Sequence, residues 1–185
     1  MSAIVSGGLA LAAIAVVWLG FTFNRFIRYR NLMREAWSGV DVQLKRRHDL
    51  VPRLVECVKG YRAYEQSVLE SLTLARARAG AAQGAVEAGN AETGLTQQMR
   101  QFLTVAEAYP DLKASGNFRQ LSDSLVETED QLQYARRYFN GTVRDYNILA
   151  ESFPSQLVAR LSGFKPAAFF EVESSVEKQA PEVKL

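Results

Sequence analysis

The stretch from Ala36 to Tyr64 reads AWSGVDVQLKRRHDLVPRLVECVKGYRAY and carries the clearest structural pattern in the chain. Apolar side chains recur there at alternating spacings of three and four residues, and the same seam extends in both directions. Its members are Met33, Trp37, Val40, Leu44, Val51, Leu54, Val58, Tyr61, Val68, Leu72 and Ala75. Only Arg47 and Glu65 interrupt it. A stripe sustained over about six heptads predicts one long helix that packs against other helices.

A proline lies within this stretch. In a helix interior, Pro52 would remove one hydrogen bond and collide with the carbonyl group of His48, which predicts a kink between these two residues. Alternatively, Asp49 caps a new helix that has Pro52 in its first turn. Both interpretations place a joint in the most basic part of the chain.

Residues 2–23 contain no charged side chain and are rich in Ala, Leu, Ile, Val and Gly. As a helix rising about 1.5 Å per residue, they would span roughly the 30 Å hydrocarbon layer of a bilayer. A cleaved signal peptide is disfavoured, because no positive side chain precedes the apolar run and no small-x-small site leads into a polar start. The positive side chains follow the run, at Arg25, Arg28, Arg30 and Arg34. This order predicts a single-pass anchor in the bacterial inner membrane, with the N-terminus outside and the body in the cytoplasm.

Charge is unevenly distributed along the 185 residues. The net charge is only +2, which argues against a nucleic-acid-binding protein. Residues 24–64 nevertheless carry ten Lys or Arg against four acids, whereas residues 65–185 carry twelve against sixteen. The basic excess therefore lies beside the predicted anchor. Cys57 is the single cysteine, so no intrachain disulfide can form.

The rest of the chain predicts shorter helices that pack on the first one. The glycine-rich residues 79–94 indicate a mobile loop. A second helix follows, about 18 residues long, and ends at Pro110. A third helix of about 36 residues follows it, and we interpret Gly141 within that helix as a point of close helix approach. A short fourth helix begins after Phe153–Pro154 and stops at Gly163.

The predicted architecture is therefore all-α. An N-terminal transmembrane helix (2–23) continues into a cytoplasmic, long-helix antiparallel bundle of three to four helices (24–170). An acidic tail (171–185), extended or disordered, completes the chain.

The sequence contains few groups that could carry out a reaction. His48 is the only histidine, which excludes a histidine-rich metal site, and we interpret it as a solvated or headgroup-facing side chain. No glycine-rich phosphate loop follows a strand pattern. We therefore predict no enzymatic activity, no catalytic residues, no cofactor and no metal site. The candidate contacts for lipid or a partner are the basic residues Arg25, Arg28, Arg30, Arg34, Lys45, Arg46 and Arg47. The candidate ion-pair or partner face is formed by Glu127, Glu129 and Asp130, for which the basic helix is the obvious counterpart.

Four strings in this chain resemble hallmarks of the bacterial LemA family. They are AWSGVDVQLKRRHDLVPRLVECVKGY, AEAYPDLKASGNFRQL, ETEDQLQYARRYFNGTVRDYN and FPSQLVARLSGFKP. The resemblance covers nearly the whole chain in the same order, although the chain ends in Lys184–Leu185 where the family often has an acidic and aromatic pair. The motif residues that match are Asp41, Lys45, Arg46, Arg47, Asp49, Pro52, Lys59, Tyr61, Glu107, Tyr109, Pro110, Lys113, Glu129, Arg136, Tyr138, Asn140, Tyr146, Asn147 and Pro154.

The resemblance implies a membrane helix with a cytoplasmic helical bundle and no established enzyme activity. It also implies a loose association with membrane stress, with neighbouring membrane proteases and, in some relatives, with specialised internal membranes. The leading functional hypothesis is a membrane scaffold or adaptor that self-associates or docks partners such as a membrane protease at the cytoplasmic face. The alternative is a lipid-organising or membrane-remodelling protein that uses the basic helix.

Homo-oligomerisation is expected from helix lengths. The seam predicts about 55 residues of the first helix beyond the membrane, or about 80 Å, against about 54 Å for the third helix. Because the other helices would not cover such a rod, part of its apolar seam is expected to pack against a second copy.

Overall fold

The computed structural model describes residues 2–59 and 65–172, and these residues form helices and connections without any strand. The all-α prediction is confirmed. The six helices are α1 (Ser2–Lys59), α2 (Gln66–Ala81), α3 (Gly84–Glu107), α4 (Pro110–Ala114), α5 (Gly116–Glu151) and α6 (Ser155–Ser162). The predicted tail lies outside the described residues, apart from Glu171 and Val172, which are not helical.

Helix α1 runs through Pro52 without a break, so the alternative of a new helix beginning at Asp49 is wrong. The prediction of one helix as far as Ala75 is also wrong. Glu65 has an extended backbone (φ −66°, ψ 115°) and precedes the separate helix α2. The apolar seam is divided between α1 and α2. The spacing of apolar residues continues across the connection, so it did not show where the first helix ends. Tyr61 lies outside the described residues.

The prediction of a mobile loop at residues 79–94 is wrong as well. Only Ala82 and Gln83 separate α2 from α3, and α3 begins at Gly84, whose φ of +76° suits glycine. In α3 the residues Ala88, Gly89 and Glu92 are buried. A Cβ atom at Gly89 would collide with the carbonyl oxygen of Glu171, so the small residues allow close backbone approach. The loop was predicted because the composition of this stretch offers few large apolar side chains to bury.

The C-terminal half follows the predictions closely. Helix α5 is the predicted long third helix, and α6 ends at Ser162 with Gly163 as its C-cap in the left-handed conformation (φ +72°). The short helix α4, which begins at Pro110, was not predicted. One detail is wrong. A Cβ atom at Gly141 would meet nothing within 4 Å, so this glycine does not mark a close helix approach within the chain.

The chain divides into two compact units, to each of which both α1 and α5 contribute. The first unit comprises Met1–Ser38 and Arg137–Ala168. Its core consists of Phe26, Tyr146, Leu149, Ala150, Val158 and Ala159. The ring of Phe164 stacks on Phe26 with centroids 4.6 Å apart, and Trp37 packs against Phe139 at 5.2 Å. Aromatic and aliphatic packing therefore holds this unit together.

The second unit comprises Gly39–Arg136 and Phe169–Leu185. Its largest apolar cluster consists of Val51, Leu54, Val55, Val58, Val68, Leu72, Ala79, Leu95, Met99, Phe102, Ala106, Leu112, Phe118 and Leu125. These residues come from all five helices α1 to α5. The second unit differs from the first in that it also buries charged side chains.

The observed helices do not have the unequal lengths from which an oligomer was predicted. Because α1 ends at Lys59, its part after Phe23 is as long as α5, which has 36 residues. Helix α3 is also longer than predicted, with 24 residues. Self-association remains a prediction, and it needs a different argument.

Candidate functional site

Arg47 of α1 is the centre of a buried polar cluster in the second unit, and its side chain is only 1% exposed. Its Nη1 donates a hydrogen bond of 2.7 Å to Oε2 of Glu92, and its Nη2 donates one of 2.8 Å to the hydroxyl of Thr96. Its Nε lies 2.7 Å from Oε1 of Glu129. A buried guanidinium group is tolerated only when it is paired in this way. Arg47 therefore joins α1 to both α3 and α5.

Glu92 is as deeply buried as Arg47 and uses both carboxylate oxygens. While Oε2 accepts from Arg47, Oε1 lies 2.5 Å from Nε2 of His48. The backbone carbonyl of His48 in turn accepts a hydrogen bond of 3.2 Å from Nε of Arg76. The cluster thus extends to α2 and includes residues from four helices, α1, α2, α3 and α5.

Glu129 is the least enclosed member of the cluster, with a side chain that is 35% exposed. Its Oε1 and the Nε of Arg47 are close enough for an ion pair but are not oriented for a hydrogen bond. Burial raises the pKa of Glu129 above its ordinary value of 4.5, and the negative charges of Glu92 and Asp130 act in the same direction. Arg47 and Arg100 oppose that rise. Glu92 and Glu129 therefore both lie beside the Arg47 guanidinium group, but only Glu92 accepts a hydrogen bond from it.

The basic stretch of α1 divides into buried and exposed side chains. Arg47 is enclosed, whereas Lys45 and Arg46 are exposed. Contact with lipid or a partner at this place would therefore involve Lys45 and Arg46. In the first unit, Arg25, Arg28, Arg30 and Arg34 are all exposed, and the guanidinium group of Arg30 lies 5.7 Å from the ring centre of Phe164.

The predicted acidic face divides in the same way. Glu129 pairs with Arg47, as its counterpart on the basic helix was expected to do. Glu127 and Asp130 are exposed. Glu127 lines a groove of about 300 Å³ together with Arg46, Asp49 and Arg53, where charges of both signs face each other.

Sequence reasoning missed Glu92 and Thr96 and misplaced His48. The last of these is 13% exposed on the side chain and contacts Glu92, so the solvated interpretation is wrong. Glu92 was missed because it lies in residues 79–94, which were interpreted as a loop. The available signal was Arg47 itself, because a charged residue that interrupts an apolar seam needs a buried partner.

The cluster is suited to fixing the register of the helices that it joins. Within residues 2–59 and 65–172, no three His, Cys, Asp or Glu side chains converge to hold a metal ion. The Arg47 guanidinium donates to the Glu92 carboxylate on α3 and lies beside the Glu129 carboxylate on α5. Buried polar contacts of this kind fix the positions of the helices that they join.

In the part of the chain that the structure describes, the fold defines a class, an all-α protein with one candidate membrane helix. Helix α1 is long and apolar enough in its N-terminal part to cross a bilayer, by length and composition. The sequence pattern of the LemA family matches residues 36–185, and the chain belongs to that family.

Three relatives extend this result. The chain is 23% identical to the magnetosome protein MamQ of Magnetospirillum gryphiswaldense, over 88% of this chain and 69% of the relative. It is 23% identical to magnetosome protein MamQ 2 of Paramagnetospirillum magneticum, over 80% of this chain and 64% of the relative. It is 28% identical to the protein LemA of Metamycoplasma hominis, over 72% of this chain and 58% of the relative. The chain thus spans roughly three fifths to two thirds of their lengths. Together with the apolar helix, these relatives support a membrane location.

Proposed function

We propose that this protein is a single-pass membrane scaffold or adaptor without catalytic activity, and that it self-associates through one face of α5. The observation that carries the proposal is the exposure of large apolar side chains on that face. Val126, Tyr134, Tyr138 and Ile148 each expose more than half of their surface. At 3.6 residues per turn they fall within roughly 120° of the helix circumference. A single exposed apolar residue is ordinary, whereas four on one face of one helix favour a protein contact.

Gly141 lies on the same face of α5. Because a Cβ atom there would meet nothing within 4 Å, this glycine leaves room for another helix to approach the backbone. The anchors would confine copies to one plane, which favours encounters between parallel α5 faces. A copy of the same chain is therefore the simplest partner, and a membrane protease is a further candidate.

Light scattering on the detergent-extracted full chain tests the self-association. We expect the wild type to be an oligomer, and Tyr134→Asp combined with Tyr138→Asp to dissociate it without loss of helicity. Val86→Asp is the matched control, because Val86 is similarly exposed but lies on α3. Leu44→Asp and Leu125→Asp are expected to unfold the protein instead, since both side chains are buried. A wild type that stays monomeric at every concentration would contradict the proposal.

The orientation is the second part of the proposal. With Arg25, Arg28, Arg30 and Arg34 after the anchor, the positive-inside tendency supports an outer N-terminus and a cytoplasmic body in the bacterial inner membrane. Protease added to intact spheroplasts should therefore leave the helical body uncut and digest it after lysis. Digestion before lysis would place the body, and any partner, on the opposite side.

A second candidate function, lipid organisation, is supported by the exposure of the basic side chains. Arg25 and Arg28 are exposed on α1 within about 8 Å of Phe23 along the helix axis, and each basic residue near an anionic leaflet contributes on the order of 1 kcal/mol. The full chain in vesicles with labelled anionic lipid should then cluster that lipid, and Arg25→Glu with Arg28→Glu should abolish the clustering at low salt. Clustering that is absent, or unchanged in the variant, leaves the scaffold as the better account.

A further inference from the structure

Helix α6 has one buried and one exposed apolar side. Val158 and Ala159 are part of the first unit's core with Phe26. On the other side, Leu157 is 48% and Leu161 is 84% exposed, and Phe153, just before the helix, is 77% exposed. Leu157 and Leu161 are four residues apart within α6 and therefore lie on one side of this eight-residue helix. Two large apolar side chains of α6, and Phe153 in the turn before it, are thus left uncovered.

This exposed side lies close to the end of the predicted transmembrane segment. Phe164, directly after α6, has its ring centre 5.6 Å from Phe23 and 4.6 Å from Phe26. Phe23 is the last residue of the uncharged segment, and Phe26 lies about 4.5 Å further along the helix axis. The α6 region therefore packs where α1 would leave the hydrocarbon layer.

The exposed side chains of α1 also indicate that the α6 region lies at the membrane surface. Leu9 and Leu11 expose about 70% of their surface, whereas Thr22 is buried. Protein thus covers one side of the last turn, at Thr22, whereas Phe21 on the other side of that turn is 70% exposed. Whatever packs against that last turn lies within reach of the headgroups.

We propose that α6 is an interfacial helix that rests on the bilayer in which α1 is anchored. Phe153, Leu157 and Leu161 insert at the boundary between headgroups and acyl chains, as the apolar face of an amphipathic surface helix does. Arg160 and Lys165 are both exposed, and their long side chains can extend to lipid phosphates. The occupant of this surface is therefore phospholipid.

A second copy of the chain fits this surface less well. A specific protein interface buries about 800 Å² on each partner, which is more than three side chains on a short helix provide. The bilayer, in contrast, is present beside α6 in every anchored molecule. The inference rests on the anchoring of α1, but on neither the scaffold role nor the side of the membrane that holds the body.

Site-directed spin labelling of the full chain in phosphatidylcholine–phosphatidylglycerol vesicles tests the proposal. Cys57→Ala removes the single native cysteine, and Leu161→Cys or Leu157→Cys then carries the label. We expect the label at either position to lose collisions with an aqueous nickel complex and to gain collisions with oxygen, relative to the matched label at Val86→Cys. Val86 is also exposed, but it lies in the second unit on α3, outside the proposed α5 face.

Two results would overturn the proposal. Labels at Leu161 and Leu157 that collide with nickel as often as the label at Val86 would show that α6 is in water. Labels shielded from both reagents, with spectral broadening that disappears on dilution with unlabelled protein, would show contact with a second copy. Labels at residue 9 (Leu9→Cys) test the anchor separately, because they must be oxygen-accessible whether or not α6 touches lipid.

Discussion

The two units of this chain are stabilised differently. The first unit packs rings against one another, with Phe26 between Phe164 and Tyr146, and its polar contacts include the paired hydrogen bonds between Asn147 and Ala167 (2.9 and 2.8 Å). The second unit encloses the charges of Arg47 and Glu92 within an otherwise apolar core. Apolar packing tolerates small shifts, whereas a buried ion pair accepts few geometries. The comparison indicates that the helices of the second unit have less freedom to shift relative to one another than those of the first.

The substitution Glu92→Gln should break the second unit. It leaves the buried Arg47 guanidinium without its hydrogen-bonded counter-charge, and breaking a buried pair typically costs about 3–5 kcal/mol. We expect a loss of this size in the free energy of urea unfolding, followed by circular dichroism in detergent. Glu107→Gln is the matched control on the same helix, since Glu107 is exposed. Equal stabilities of the two variants would mean that the Arg47 pair contributes nothing to the fold.

Gly89 tests the same unit through its backbone. Because a Cβ atom there would collide with the carbonyl oxygen of Glu171, Gly89→Ala must push the segment at Glu171 away from α3. Overpacking of this kind costs about 1–3 kcal/mol. Urea unfolding measures the loss, and faster amide hydrogen exchange near Glu171 should accompany it. Unchanged stability would show that this segment does not rest on α3.

Gly141 supplies the opposite test in the first unit. Nothing lies within 4 Å of a Cβ atom at this position, and glycine in a helix interior costs about 0.5–1 kcal/mol relative to alanine. Gly141→Ala should therefore stabilise the protein by that amount under conditions where it is monomeric. If the α5 face is an interface between copies, the same change should weaken the oligomer while it stabilises the monomer. A destabilised monomer would contradict the open environment of Gly141.

The sequence predicted the elements that bury large side chains in a regular pattern. Helix α5 was placed correctly because leucines and aromatics recur along it, and α6 because Pro154 and Gly163 mark its ends. The start of α3 was missed because Ala88 and Gly89 pack by backbone approach, which hydropathy does not register. The charge cluster was found only in part, at Arg47 and Glu129. Glu92, the buried partner of Arg47, lies 45 residues from it, and no local pattern links two such positions.

The smallest expected effect on stability is that of Glu129, which is more exposed than Glu92, the other carboxylate of the cluster. Burial raises the pKa of Glu129 in the folded state above 4.5, so the folded protein binds this proton at a pH where the unfolded chain has released it. Below pH 4.5 the carboxyl group is protonated in both the folded and the unfolded state, so its titration does not change the free energy of unfolding. As the pH rises from 4.5 through the folded-state pKa, the wild type should lose stability relative to Glu129→Gln, and the difference should then level off.

The difference should be small, because a side chain that is 35% exposed is partly solvated and Arg47 opposes the rise. Urea unfolding of both proteins from pH 4 to 8 measures it, and the exposed Glu127→Gln on the same helix gives the baseline. A wild type that gains stability relative to Glu129→Gln over this range would mean that attraction to Arg47 outweighs burial. Glu129 would then be a full partner of the buried arginine, and the cluster would hold α5 as firmly as it holds α3.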